Sequence, residues 1–442
     1  MDCLQQANAR VARLYPAVTA GRQPVHTVYG GAHLFTADVS TKLGRTALRA
    51  LDEYAPDPQI FESAFGVPRG LAGRIYQRVR AKLESEPVED FRIDFEDGYG
   101  NRPDGEEDGH AIAAAEGMAI GMHAGKLPPF IGIRIKPLSE ELRRRSLRTL
   151  DLFVSTLVHK SGGGLPPNFV VTLPKVMAVE QVSGLCDILE LLERALGLPA
   201  VSLKMEFMVE VPQSILNARG ETNLLYLAQA ARGRCTAAHF GTYDYTASCG
   251  ITAAHQQMLH PACDFAKHMM QVSLAGTGVW LSDGATNVLP VPVHGAVAGG
   301  QPLTAEQKEE NRHAVHRAWA LQVSHIQHSL TNGFYQGWDL HPAQLPARFA
   351  AVYAFFLENL QASSERLANF VKKSAQATLV GGVFDDAATG QGLLNYFVRA
   401  INCGAITEAE ALPLTGLTLE ELRLASFVKI IQGRTAAPGS TE

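Results

Sequence analysis

Short apolar segments alternate with longer amphipathic ones from residue 25 to residue 342, and this alternation limits the possible folds more than any other feature. The short segments that could form buried strands are 25–29, 91–96, 130–135, 168–176, 203–211, 237–241, 278–281 and 337–342. Between them, apolar residues recur at helical spacing. Alternating strands and helices predict a parallel α/β fold, and eight strands favour a (β/α)8, or TIM, barrel over an open sheet.

The chain adds segments to this repeating pattern. The first crossover, 30–90, predicts a helical insertion of two helices. After His341 the pattern is helical only, over 344–372 and 389–401, and a last helix opens with a capping box of Thr418 and Glu421. We therefore predict a TIM-barrel domain at 1–345, a C-terminal helical extension at 346–433 and a disordered tail at 434–442.

Composition excludes several classes of function. The 442 residues carry 39 Lys and Arg against 44 Asp and Glu, a formal charge of −5, so there is no basic field to hold a nucleic acid. The six cysteines are scattered without a CxxC pair, which is typical of a reduced, cytoplasmic protein. No uncharged apolar run approaches the roughly 18 residues that a membrane span needs.

Polar residues stand where the predicted strands end. They are Glu96, Asp97, Arg134, Lys136, Lys175, Glu210, Asp244 and His341. Because chemistry in such barrels lies at the carboxyl ends of the strands, we expect several of these carboxylates and cations to meet at one mouth.

Two of the carboxylates suit a hard cation. Glu210 ends an apolar strand, and Asp244 follows the next strand in a turn that begins with glycine. Mg²⁺ commonly takes one or two protein carboxylates and completes its shell with water and substrate oxygens. The sequence therefore predicts Glu210 and Asp244 as metal ligands, with Glu96 and Asp97 holding metal-bound waters.

Arg134 is the candidate for gripping a substrate carboxylate or keto oxygen, and together with a metal it would stabilise an enolate. The alternative is that Arg134 only neutralises Glu96. Lys136 and Lys175 could anchor substrate charge or form buried structural pairs. His33, in the glycine-rich segment after the first strand, could be a base or substrate contact or a packed loop residue.

Six motifs together resemble a known family. They are IDFEDGYG (93–100), IRIKP (133–137), LPKV (173–176), VEVPQSI (209–215), HFGTYDYTASCGI (239–251) and GWDLHPAQL (337–345). Their order is similar to that of the HpcH/HpaI aldolase and citrate lyase β-subunit family, in the phosphoenolpyruvate/pyruvate-binding TIM-barrel superfamily that includes malyl-CoA lyase and malate synthase. The helical first crossover, the long 282–336 connection and the missing D-x-E-H-[AS] signature make the chain a divergent relative.

The resemblance implies Mg²⁺ or Mn²⁺ on Glu210 and Asp244, with Arg134 on the substrate. It also implies an aspartate that enters the site from a neighbouring subunit, and GGVFDDAATGQGLL (381–394) is similar to that segment. Asp386 aligns best, and Asp385 is the alternative. A homo-oligomer, trimer or hexamer, is therefore expected.

The apolar pattern of 344–372 also predicts subunit contacts, because exposed apolar surface of this kind marks interfaces. Its apolar residues are Phe355, Phe356, Leu360, Leu367 and Phe370. Packing of this helix against the chain's own barrel is the alternative.

The function that these features favour is a metal-dependent carbon–carbon lyase or aldolase acting on a 2-keto acid or an acyl-CoA through an enolate. Arg134, Asp386, Glu96 and Asp97 would be its catalytic residues. Lys175 and His33 would be further substrate contacts. A malate synthase-like condensation and a non-catalytic barrel that binds a metal and a 2-keto acid are the alternatives.

Overall fold

In the computed structural model, eight parallel strands close into one barrel, which confirms the predicted fold. The strands are β1 His26–Gly31, β2 Asp90–Asp94, β3 Phe130–Arg134, β4 Phe169–Leu173, β5 Lys204–Val209, β6 Cys235–Phe240, β7 Trp280–Ala285 and β8 Gln336–Asp339. The barrel closes where β1 pairs with β8, His26 opposite Gly337. The structure describes residues 2–16, 21–295, 302–372, 378–380, 383–385, 387–424 and 426–436.

Helices surround the barrel and extend it at the C-terminal end of the chain. They are α1 Asp2–Leu14, α2 Val39–Tyr54, α3 Pro58–Phe65, α4 Ala72–Ser85, α5 Asp104–His123, α6 Arg143–Ser161, α7 Val179–Leu196, α8 Pro212–Ile215, α9 Leu224–Ala230, α10 Thr242–Ser248, α11 Pro261–Leu274, α12 Ala305–Thr331, α13 Leu345–Glu358, α14 Leu360–Lys372, α15 Ala387–Asn402, α16 Glu408–Thr415, α17 Leu419–Leu424 and α18 Phe427–Ala436. No helix in the described ranges is both long and apolar enough to cross a bilayer.

The first crossover contains three helices, so the prediction of two was wrong. The additional helix, α3, has 8 residues. Asp57 caps it by accepting hydrogen bonds from the backbone N–H groups of Gln59 and Ile60, both at 2.9 Å. Gly66 ends it in the left-handed conformation, with φ of 62°. A helix this short gives too few turns for an apolar period to stand out.

The two faces of β2 differ in polarity and in what they contact. Phe91, Ile93 and Phe95 are buried and point outward to the helices, where the ring of Phe95 meets that of Phe153 at 6.2 Å. The alternate residues, including Asp90 and Arg92, are also buried and point into the barrel. The barrel interior is therefore polar, and the apolar core lies between the strands and the surrounding helices.

A network of charges fills the inside of the barrel below the mouth. Arg92 donates to both carboxylate oxygens of Glu206, at 2.7 and 2.8 Å, and also pairs with Asp90. Thr172 donates to Glu206 at 2.5 Å, and His239 Nε2 lies 3.1 Å from it. Burial alone would raise the pKa of Glu206, but Arg92 and His239 together outweigh burial, and the pKa is lowered.

The apolar face at 344–372 is covered by the chain itself, so the reason given for a subunit contact was wrong. The segment forms two helices, α13 and α14, rather than one pattern. Phe356, Leu360, Leu367 and Phe370 are buried, and Phe355 is half-buried. Helices α4 and α12 pack on α13, and α15 and α16 pack on α14. Oligomerisation stays a prediction without this support.

The extension is not purely helical, which corrects the prediction for the region after His341. Strands β9 Thr378–Val380 and β10 Val383–Asp385 form an antiparallel pair. The capping box at Thr418 and Glu421 is confirmed by reciprocal hydrogen bonds at 2.7 and 3.2 Å. Helix α18 continues to Ala436, beyond the predicted start of the tail, and 437–442 lie outside the described residues. The division into domains stays a prediction.

Candidate active site at the barrel mouth

The carboxyl ends of five neighbouring strands bring most of the predicted residues together. Glu96 and Asp97 follow β2, Arg134 ends β3, Lys175 follows β4, Glu210 follows β5, and Asp244 lies in α10 after β6. The direct contacts run from Arg134 Nη1 to Glu96 Oε2 at 3.0 Å and from Lys175 Nζ to Asp97 and Asp244, each at 3.4 Å. Lys175 also pairs with Glu96.

Arg134 is held rigidly before any substrate arrives. Its Nε and Nη2 donate to the two oxygens of Asp94 at 2.7 and 2.6 Å. The guanidinium lies 4.7 Å from the ring centre of Tyr29 and 5.6 Å from that of Trp338. Burial alone would lower the pKa of Arg134, but Asp94 raises it well above the usual value. Two nitrogens of the guanidinium thus bind Asp94, and the third, Nη1, faces Glu96 and the mouth.

Asp94 is the residue of this site that sequence reasoning missed. Besides holding Arg134, it accepts hydrogen bonds from the backbone N–H groups of Glu96 at 3.0 Å and Gly98 at 2.7 Å. A side chain at Gly98 would place its Cβ 2.7 Å from Asp94 Oδ2. The period-two pattern places Asp94 on the same face of β2 as Asp90, but the alternation alone does not show that this face is the inner one.

Lys175 contacts the carboxylates that follow β2 and also those that follow β5 and β6. Its backbone has φ of 50°, which is uncommon for a residue with a Cβ. In this conformation its N–H donates to Glu210 Oε1 at 2.7 Å while its ammonium reaches Glu96, Asp97 and Asp244. Burial alone would lower the pKa of Lys175, but Glu210 and Glu96 raise it, so this side chain is charged at neutral pH.

Glu210 and Asp244, the predicted metal ligands, differ in exposure. Glu210 is 1% exposed, whereas the Asp244 side chain is 39% exposed. Gly241 leaves room for Glu210, because a Cβ at Gly241 would lie 2.6 Å from Glu210 Oε2. Burial raises the pKa of Glu210 to about 8. A cation beside Glu210 would favour its charged form.

The donor set fits a hard divalent cation. Across the mouth, two cationic side chains, Arg134 and Lys175, face five carboxylates, Asp94, Glu96, Asp97, Glu210 and Asp244. The donors are all oxygen, which Mg²⁺ and Mn²⁺ prefer. In the part of the chain that the structure describes, no three His, Cys, Asp or Glu side chains group closely enough to hold a metal alone. Water and substrate would therefore have to supply the other ligands.

Lys136 and His33 lie apart from this group. Lys136 donates to Glu107 at 2.8 Å and to the carbonyl of Phe95 at 2.6 Å, so it forms a buried structural pair. His33 packs with Tyr99 at 5.6 Å and His110 at 6.1 Å between ring centres. That placement is a packed group at the rim, and a substrate contact by His33 stays a prediction.

The remaining predicted residues are His341, Asp385 and Asp386. His341 caps a short 3-10 helix, where its Nδ1 accepts from the N–H of Ala343 at 3.2 Å. Asp385 is the last residue of β10. Asp386 lies outside the described residues, and its catalytic role stays a prediction.

Comparison with known sequences assigns the chain to a family. The family model described as "Domain of unknown function (DUF6986)" matches residues 4–430. The chain belongs to this family. Membership of the HpcH/HpaI family stays a prediction, and no curated protein matches the sequence significantly.

The chain was also compared with solved structures of other proteins. This DUF6986 chain is similar to a citrate lyase from Burkholderia xenovorans LB400, with a TM-score of 0.55 and 17% identity over 90% of this chain and 98% of that one. CitE from Mycobacterium tuberculosis in complex with magnesium, acetoacetate and coenzyme A gives 0.46 and 14% over 87% and 99%. The Haloferax volcanii malate synthase magnesium/glyoxylate complex gives 0.45 and 14% over 94% and 98%. At 17% identity, the first likeness establishes the shared TIM barrel.

Proposed function

We propose that this protein is a carbon–carbon lyase that cleaves a 2-keto acid or acyl-CoA type substrate through an enolate and depends on Mg²⁺ or Mn²⁺. The observation that carries the proposal is the meeting of Arg134, Lys175, Glu210 and Asp244 at the mouth of the barrel. The fold shared with a citrate lyase agrees with it. A small-molecule substrate, a cytoplasmic location and a homo-oligomer belong to the same proposal.

The chain's own residues have distinct roles in this proposal. Glu210 and Asp244 would hold the cation, and Glu96 and Asp97 would accept hydrogen bonds from water beside it. When bound, the cation withdraws electron density from the keto oxygen of the substrate. Arg134 donates from Nη1 to the substrate carboxylate or enolate oxygen, because Asp94 already occupies its Nε and Nη2. Lys175 adds a fixed positive charge beside the developing anion.

Asp386 completes the proposal as the group that gives or takes the proton at the carbon of the enolate. Its place in GGVFDDAATGQGLL, and the resemblance of that segment to one that enters a neighbouring subunit's site, are the support. Asp385 is the alternative, one residue away.

A substrate screen tests the proposal directly. Purified protein is incubated with 2-keto acids and aldehydes, and separately with acyl-CoA esters, each with Mg²⁺ or Mn²⁺ and with EDTA as the control. We expect release or consumption of pyruvate, glyoxylate or free CoA only when the metal is present. The Glu210→Gln variant is the matched inactive control.

The same screen separates the alternatives. Carbon–carbon bond formation from acetyl-CoA and glyoxylate, without cleavage of any tested substrate, would support the malate synthase-like condensation instead. Calorimetric binding of 2-keto acids with no turnover of any pair would support the non-catalytic barrel. If the protein neither binds nor turns over any substrate class, the proposed function is refuted.

A further inference from the structure

A cavity lies at the amino ends of the strands, at the end of the barrel opposite the mouth. It has a volume of about 340 Å³ and is bordered by residues at the amino ends of β1, β7 and β8 and by α13 and α15. Volumes of this order hold small organic ligands. The cavity therefore joins the barrel to the C-terminal extension, far from the proposed chemistry.

Arg399 of α15 brings a charge into this cavity without a carboxylate to balance it. Its guanidinium lies 3.8 Å from the ring centre of Tyr335, and its Nη1 donates to Gln23 Oε1 at 3.1 Å. Among the described residues, no acidic side chain pairs with it, and no Asp or Glu borders the cavity. Burial lowers the pKa of Arg399. An arginine nevertheless stays protonated, so the charge is present and unneutralised.

The surroundings hold Arg399 in place without satisfying it. Gln23 is oriented because its Nε2 donates to the carbonyl of Leu281 at 3.1 Å and to Gln336 at 3.3 Å, which turns its oxygen toward the arginine. One neutral oxygen and one aromatic face leave most of the five N–H donors of a guanidinium without an anionic partner. Arg399 is half-buried, so these neutral partners offset only part of the cost of removing its charge from water, and an anion would offset more of it.

The other bordering groups indicate what kind of anion fits. Asn395 and Asn402 supply amides, whereas Trp280, Val352 and Phe356 supply aromatic and aliphatic surface. A planar carboxylate matches the guanidinium fork, and the apolar walls favour a hydrocarbon or aromatic body. All of these groups border the same cavity.

We propose that this cavity is a binding site for a small monocarboxylate with an apolar body, which ion-pairs with Arg399 and packs on Trp280. The site is separate from the barrel mouth, so it does not depend on the proposed lyase activity. Because its walls come from both the barrel and α15, an occupied site would fasten the C-terminal extension to the barrel.

The test measures binding of simple probes to the whole protein in EDTA, which keeps metal from the mouth. Hexanoate and benzoate are the probes, hexanamide and benzamide are uncharged matches, and inorganic phosphate is an anion without an apolar body. Melting temperature and tryptophan fluorescence are followed against probe concentration. We expect saturable stabilisation by both carboxylates and by neither amide.

Variants locate the site. Arg399→Met should weaken carboxylate binding by about tenfold or more. Arg423→Met is the matched control, because Arg423 also lies in the extension but its side chain is 66% exposed and pairs with Glu408. In Trp280→Phe, the fluorescence change should vanish while the stabilisation remains. Without a probe, Arg399→Met should melt no lower than the unchanged protein.

Several outcomes would overturn the proposal. The proposal is wrong if the carboxylates cause no saturable rise in melting temperature, or if they cause the same rise in Arg399→Met. If phosphate binds as tightly as the carboxylates, the apolar part of the ligand does not contribute to binding and this part of the proposal is wrong. If Arg399→Met does not fold, the fluorescence decides alone: a carboxylate response that persists in Trp280→Phe places binding elsewhere.

Discussion

Two layers inside the barrel use the same residue types but differ in their balance of charge. In the lower layer, Arg92 faces Glu206 and Asp90, and Thr172 and His239 complete the hydrogen bonds. In the mouth above it, five carboxylates face two cations. In the lower layer each of these side chains has hydrogen-bond partners within the chain, whereas the mouth has the larger excess of carboxylates over cations.

The difference separates a structural network from a candidate binding site. A buried ion pair with every group satisfied specifies the packing of the strands, and breaking it is costly. An unbalanced group of carboxylates is destabilised by its own repulsion and is retained where a ligand relieves it. Comparing substitutions in the two layers therefore distinguishes loss of stability from loss of function.

The largest expected effect is on turnover in the mouth. Glu210→Gln and Asp244→Asn remove the two proposed protein ligands, so turnover should be abolished and Mn²⁺ affinity should fall by about an order of magnitude or more. Folding should survive, as circular dichroism would show. Unchanged Mn²⁺ affinity by calorimetry in both variants would place the metal elsewhere.

In the lower layer, the large effect should be on stability. Glu206→Gln leaves Arg92 buried without its main partner, so the free energy of unfolding should fall by about 3–5 kcal/mol. Denaturant unfolding measures it, with Glu210→Gln as the matched control from the same strand region. A loss in Glu210→Gln as large as that in Glu206→Gln would erase the distinction between the layers.

The third prediction concerns how Arg134 is held. Arg134→Lys keeps the charge but loses the fork on Asp94, and Asp94→Asn keeps the shape but loses the charge that the fork grips. Each should lower kcat/KM by about 10- to 100-fold. Steady-state kinetics of both variants checks this. If the Arg134→Lys enzyme is kinetically normal, Arg134 is only a salt-bridge partner of Asp94 and Glu96.

The sequence allowed the barrel and its eight strands to be predicted, because apolar runs and helical spacing are local. The bounds of several strands differ from the prediction, as in β7, which was predicted at 278–281 and is Trp280–Ala285. It did not show which face of β2 points inward, since alternation alone fits either choice. Because alternate residues point to opposite faces, Asp94 points inward and holds Arg134, whereas Phe95 beside it points outward to the helices. The face at 344–372 was misjudged because α15 and α16, which help to cover it, lie later in the chain. The contact of the Lys175 ammonium with three carboxylates depends on a backbone φ of 50°, which no residue pattern indicates.

The proposed sharing of the mouth between subunits predicts a partial recovery of activity. Asp386→Ala and Arg134→Ala chains, each inactive alone, are mixed after dissociation and allowed to reassemble. If Asp386 acts in a neighbour's site, random mixing of equal amounts pairs an intact Arg134 with an intact Asp386 in about a quarter of the sites. Activity should approach that fraction of the unchanged enzyme. No recovery from a properly reassembled mixture would mean that each site is built within one chain.

The smallest expected effect tests the position of the Lys175 ammonium. It lies 3.4 Å from Asp244 Oδ2, so it competes with any cation that Asp244 binds. Lys175→Met removes this competitor but keeps the backbone N–H that donates to Glu210. Mn²⁺ affinity measured by calorimetry should therefore rise severalfold, even as the loss of the fixed charge lowers kcat. Arg143→Met is the control, since Arg143 lies in α6, is half exposed and pairs only with Glu140 among the ion pairs of the described residues. A fall in Mn²⁺ affinity in Lys175→Met would mean that Lys175 organises the carboxylates for the cation instead of opposing it.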